Sequence, residues 1–268
     1  MHDHVSASGA LTGEVLLAVP FACALVFYGC GVVIQHRRGR PWSWRRSASW
    51  SLGVATAAAG FVGPLADGAH GGFTAHMAAH VCVGMLAPLL LVQGAPVTLA
   101  LRSLSVVPAR RLTRLLSSPP ARLVTTPIVA ALFNVGGLWV LYATPLQESM
   151  QADPLVHLAI MAHFLLAGYL FTAAIIPVDP APHRAGFPLR MGVVVAALAA
   201  HGILAKTLYA HPPAGVGTAD AQAGAMLMYY AGDVVDAAII ALLCAQWYRH
   251  GAHVIRRATL RSRAVPSG

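Results

Sequence analysis

Residues 73–96 read FTAHMAAHVCVGMLAPLLLVQGAP. The run is apolar and long enough to cross a bilayer as a helix, which takes about 20 residues. Its first two turns nevertheless carry His76, Met77 and His80, with Cys82 and Met85 behind them. Imidazole, thioether and thiol are the side chains that bind soft or borderline metals such as copper. Polar groups inside a membrane span are costly to keep, which makes them functional candidates.

The surrounding chain has the composition of an integral membrane protein. Of its 268 residues, 57% are hydrophobic and 10% charged, against about 25% charged in soluble domains. Mean hydropathy is +0.66. The alternation of a β-barrel is absent, so helices remain as the way to satisfy the backbone in lipid. The expected architecture is all-α: a polytopic membrane helical bundle with seven transmembrane helices in one domain, residues 14–248. A short polar extracytoplasmic tail, 1–13, precedes it and a basic tail, 249–268, follows. Spans are expected at 14–34, 47–65, from Phe73 onward, and at 123–142, 155–176, 189–209 and 221–248. Between residues 95 and 120 Leu and Val alternate with Arg, which predicts a helix lying in the membrane interface. The first residues lack the basic region and cleavage site of a signal peptide. His2 and His4 there form a candidate metal-capturing arm, set against the plain reading of a solvated tail.

Charge orients the bundle. The net charge is +9. All but one of the 18 Lys and Arg fall in the connections after spans one, three and five or in the tail, and the exception is Lys206. The opposite connections carry Asp67, Glu148, Asp153 and Asp220 instead. Positive residues mark the cytoplasmic side, so the N-terminus is expected outside and the C-terminus inside. Basic residues placed this way read as topology signals and lipid contacts, and no nucleic acid is expected as a partner. Cys23, Cys30, Cys82 and Cys244 all lie in apolar spans without a CxxC, which supports no disulfide framework. No nucleophile elbow, phosphate loop or dinucleotide fingerprint is present, so an enzyme is not expected.

Orientation turns position into depth. His76 and His80 fall in the outer half of span three, and His157, Met161 and His163 in the outer half of span five. His201 lies about two turns from the outer end of span six, at ~1.5 Å rise per residue. Met226 and Met228 sit near the outer start of span seven. His76 and His80 are i and i+4, on one helix face. His163 is rotated roughly 120° from His157 at ~3.6 residues per turn, so one of the two points elsewhere. A single such histidine reads as a hydrogen-bonded structural residue. Five at one depth read as a metal or cofactor site. Cys82 and Met85 read as packing. Asp233 and Asp236, near the middle of span seven, read as a proton or cation relay, as partners of Lys206, or as protonated and hydrogen-bonded.

These residues also resemble a known family. HMAAHVCVGMLAPLLLVQGAP is similar to the H-M-x-x-H helix and P-L-L-L-x-x-G-A-P motif of the CtaG family of cytochrome c oxidase assembly factors, in its actinobacterial-like branch. LALRSL, Phe133–Asn134, His157, HFLLAGYLF from His163, Asp179–Pro180 and His201–Gly202 extend the likeness, as do MYYAGDVVD and QWY. D-A-Q-A-G at 220–224 has one residue fewer than the family's D-Q-x-x-A-G. The resemblance implies seven spans, a bacterial plasma membrane location, and a role in maturing the oxidase by supplying copper on the outer side, with oxidase subunits as transient partners.

Three readings follow. The first is a copper-handling assembly factor, with His76, His80, His163 and His201 as ligands, completed by His157 or Met77. Asp220, Asp233, Asp236, Lys206 and Met226 are further candidates. The second is a haem-binding or redox membrane protein, since histidines on neighbouring helices can ligate haem. The third is a transporter of copper or protons, motivated by Asp233 and Asp236.

Overall fold

A computed structural model describes residues 3–180 and 184–263. Among them every regular element is helical. The order is α1 (Asp3–Arg37), α2 (Trp44–Ala59), α3 (Pro64–Gly71), α4 (Phe73–Val81), a π-helical turn (Cys82–Leu86), α5 (Ala87–Gln93), α6 (Pro96–Ser103), α7 (Val106–Leu116), α8 (Pro119–Val124) and α9 (Pro127–Ala131). A second π-helical turn (Leu132–Gly136) follows, then α10 (Gly137–Ala143), α11 (Leu146–Ala152), α12 (Pro154–Ile175), α13 (Phe187–Ala210) and α14 (Thr218–Arg263). Of the terminal arm, His2 lies outside the described residues, and His4 is described only as helical backbone.

Five helices are long and apolar enough to cross a membrane: Gly13–Arg37, Phe73–Gln93, Pro154–Ile175, Phe187–Ala210 and Thr218–Arg249. Pro127–Ala143 joined to Leu146–Ala152 across an 83° bend makes a sixth. The chain is therefore a multi-pass helical membrane protein. The stretch expected as span two is not one continuous helix. α2 ends after 16 residues, about 24 Å at ~1.5 Å per residue, and Gly63, at φ 84°, turns the chain into α3. The basic connection 95–120 holds two helices. The second, α7, buries no residue and exposes Val106, Val107 and Leu115 beside its arginines, as an interfacial helix does.

Proline opens many of these helices, at the positions where its missing N–H would be unpaired anyway. Asp153 caps α12 by accepting from the Leu155 and Val156 amides at 2.7 and 3.4 Å. Two other caps come from distant elements. Asp220, opening α14, accepts from the Phe73 and Thr74 amides at 2.7 and 3.1 Å and from the Thr74 hydroxyl at 2.6 Å. Asp179 does the same for α6, accepting from Val97 N, Thr98 N and Thr98 Oγ1. Each carboxylate meets the positive end of a helix dipole; Asp220 ties α14 to α4, and Asp179 ties the connection after α12 to α6. Asp220→Ala is expected to lower stability by roughly 0.5–2 kcal/mol, read as a lower unfolding temperature. Asp220→Asn, which keeps an acceptor, should lose less.

The QGAP turn is held from outside. Ala95 is left-handed, at φ 52°. The Tyr28 hydroxyl donates to Gly94 O at 2.8 Å and accepts from Trp42 Nε1 at 2.9 Å. The Tyr28 ring stacks on Trp50 at 4.9 Å. Tryptophans near basic residues, with Arg46 over the Trp42 ring at 4.9 Å, are interface anchors.

The apolar core has two parts. One contains Phe73, Met77, Val83, Leu141, Met161, Phe164, Leu204 and Met228. The other contains Leu89, Ile175, Val194, Ile239 and Leu243. In sequence His80, His201 and Asp236 each fall between a member of the first cluster and a member of the second, and all three are buried. They form a polar layer inside the bundle.

Candidate functional site

The expected ligand set separates into pairs. His76, on α4, faces His157, on α12, with ring centroids 6.4 Å apart and planes at 80°. Both line a cavity of about 380 Å3, with Gln147, Gln151, Met150 and Asp220 also on its wall. The i and i+4 relation of His76 and His80 puts them one turn apart, but His80 looks into the bundle. Its ring stacks with that of His201 on α13 at 6.5 Å and meets the Phe164 ring edge-on at 5.3 Å.

His80 and His201 are each 5% exposed. Neither Nε2 has a hydrogen-bond partner among the described residues. Buried polar atoms normally find one. Both histidines line a small cavity of about 20 Å3, together with Met85, Asn134 and Asp236. That space has room for one water or one ion. The two π-helical turns supply Met85 and Asn134. Such turns widen a helix by one residue and recur at functional sites.

Glycines make room for the rings. A Cβ on Gly232 of α14 would stand 2.7 Å from His201 Cε1, and one on Gly84 would stand 3.2 Å from His80 Cε1. The same holds for His163, 2.8 Å from a Cβ on Gly137, but on another face. His163 is exposed, and its Nε2 lies 3.1 Å from Phe133 O. It belongs to neither pair, which resolves which of His157 and His163 points elsewhere.

The remaining candidates fall as follows. Met77 is fully buried, and its sulfur accepts from the Tyr142 hydroxyl at 3.9 Å, so it packs in the core. Met226 is 47% exposed on the outside of α14. Asp220 is a cap on the rim of the larger cavity. Asp233 is exposed whereas Asp236, one turn further along α14, is buried. Lys206 is exposed, with its ammonium 5.3 Å from the Tyr229 ring centroid. Met85, read from the sequence as packing, lines the small cavity instead. Gly232 entered the sequence reading only within MYYAGDVVD and Asn134 only within the Phe133–Asn134 motif, neither as part of a site. Among the described residues no three His, Cys, Asp or Glu side chains are grouped to hold a metal ion.

These features define a multi-pass helical membrane protein with a buried polar layer beneath an open vestibule. The family described as cytochrome c oxidase caa3 assembly factor matches residues 26–250, and the chain belongs to it. Uncharacterised proteins of Mycobacterium bovis and Mycobacterium tuberculosis are each 36% identical over 190 residues, covering 68% of this chain and 28% of theirs. One from Mycobacterium leprae is 32% identical over 253 residues, covering 86% and 38%. The chain thus spans about a third of the length of these relatives. No solved structure matches.

Proposed function

We propose that this chain handles copper during maturation of cytochrome c oxidase, taking the ion at the outer face of a bacterial plasma membrane and passing it to an oxidase subunit. In this reading there are seven crossings, with the N-terminus outside and the C-terminus in the cytoplasm. α2 and the α3 turn make the second crossing, and the vestibule opens outward.

The observation that carries the reading is the step from His76 and His157, on an open cavity, to His80 and His201, whose unpartnered Nε2 atoms border a space for one ion. Imidazole with the Met85 thioether is a donor set suited to copper. Few ligands per position favour handover, because a closed cage would hold its cargo. A 20 Å3 cavity has no room for a porphyrin, which favours a metal cargo over haem. Asp236, beside the same cavity, supports a second reading in which a proton or cation is relayed there. Metal uptake by sealed proteoliposomes, abolished by Asp236→Asn, would favour it.

The test is copper stoichiometry of the purified full chain. The His76→Ala/His80→Ala protein should hold less copper than the parent, while His163→Ala should hold as much. Equal copper in parent and double variant would sink the proposal.

A further inference from the structure

At the end of the bundle away from the vestibule, a groove of about 170 Å3 lies between α8 and α12. Its floor is apolar, formed by Leu170, Ala173 and Ala174 of α12 with Val92 and Val97. Two guanidinium groups stand on its wall, Arg122 from α8 and Arg184 from the connection before α13. The Arg122 guanidinium has no hydrogen bond or ion pair among the described residues. Arg184 donates to the neutral amide oxygen of Gln246 at 2.9 Å. In the first turn of α13 the buried Arg190 donates to Ile175 O at 2.8 Å and leaves its Nε unpartnered.

The one carboxylate on the groove, Asp179, is already engaged as the cap of α6. The cations therefore lack a counter-ion of their own. The groove also lies at interfacial depth, because Leu116 of the amphipathic helix α7 forms part of its wall. A basic pocket between spans, with an apolar floor at headgroup level, is built for a ligand that is anionic at one end and hydrocarbon at the other.

We propose that this groove binds an anionic phospholipid, its phosphate paired with Arg122 and Arg184 and one acyl chain laid along Leu170, Ala173 and Ala174. Bound there, the lipid bridges α8, α12 and the chain entering α13. The site is separate from the histidine pairs and does not depend on copper.

The experiment is native mass spectrometry of the full chain in detergent, with phosphatidylglycerol, phosphatidylcholine or inorganic phosphate added. The parent should retain phosphatidylglycerol in preference to phosphatidylcholine. Arg122→Gln/Arg184→Gln should weaken that retention on the order of tenfold, and Arg122→Lys/Arg184→Lys should keep most of it. Ala173→Phe, which fills the floor and leaves both arginines, should also weaken it. Undiminished phosphatidylglycerol retention in the glutamine variant would overturn the proposal. Displacement of the lipid by inorganic phosphate would overturn its lipid half, since the apolar floor would then contribute nothing.

Discussion

His80→Leu and His201→Leu are expected to move stability and copper binding in opposite directions. Each imidazole is buried, and its Nε2 has no hydrogen-bond partner among the described residues. An unsatisfied buried polar atom costs about 1–3 kcal/mol, and an apolar replacement of similar size removes that cost. The metal-free variants should therefore unfold at the same temperature as the parent or a higher one. Copper added to the parent should raise its unfolding temperature, because a ligand that binds only the folded state stabilises it. The same addition should do little to either variant. His163→Leu serves as the control: its ring lies on another face, so the copper response should persist. If both leucine variants are destabilised without copper, the Nε2 atoms are satisfied by trapped water and the pair is structural.

The copper-handling proposal gives such a pair a reason to persist. Proteins retain local frustration where a site must be ready for something absent from the apo state. The two π-helical turns fit this view. Each interrupts an otherwise regular span beside the small cavity, the first supplying Met85 to its wall and the second Asn134 and Val135.

Much of this was readable from residue types and spacing, and the exceptions have physical causes. The helical class and the long spans followed from runs of apolar residues, which no soluble arrangement could bury. Charge set the expected depth at which His76, His80, His157, His163 and His201 were grouped, and the structure pairs His76 with His157 and His80 with His201. Which of them share a centre was not readable. Helical periodicity gives the angle of a side chain about its own axis, whereas pairing depends on how spans rotate against each other. His76 and His80 share a face by spacing, yet a single turn separates an open cavity from a sealed one. Met85 shows the same limit, since the π-helical turn at Cys82–Leu86 resets the phase that made it look like packing. The break between α2 and α3 was hidden because Ala and Gly suit both a continuous span and a broken one.

Gly168 offers the largest stability effect expected in the bundle. A Cβ there would overlap Gly84 O and stand 2.9 Å from Pro88 Cγ. Neither can yield easily: one is backbone in a π-helical turn and the other a proline ring. This is the close backbone approach that small residues permit between helices in lipid, where dispersion contacts replace the hydrophobic effect. Gly168→Ala should thus push α12 away from the 82–88 segment and cost roughly 1–3 kcal/mol from overpacking. Because the separation also shifts His80, which leads into that segment, copper affinity should fall with stability. Gly192 on α13 provides the matched contrast. A Cβ there meets nothing within 4 Å, so Gly192→Ala should be neutral or stabilising by about 0.4–1 kcal/mol through the unfolded chain. Thermal unfolding of the two variants beside the parent separates a steric crossing from general helix propensity. If Gly168→Ala unfolds no earlier than Gly192→Ala, the 84–168 crossing is looser than described, and His80 is held by its ring contacts alone.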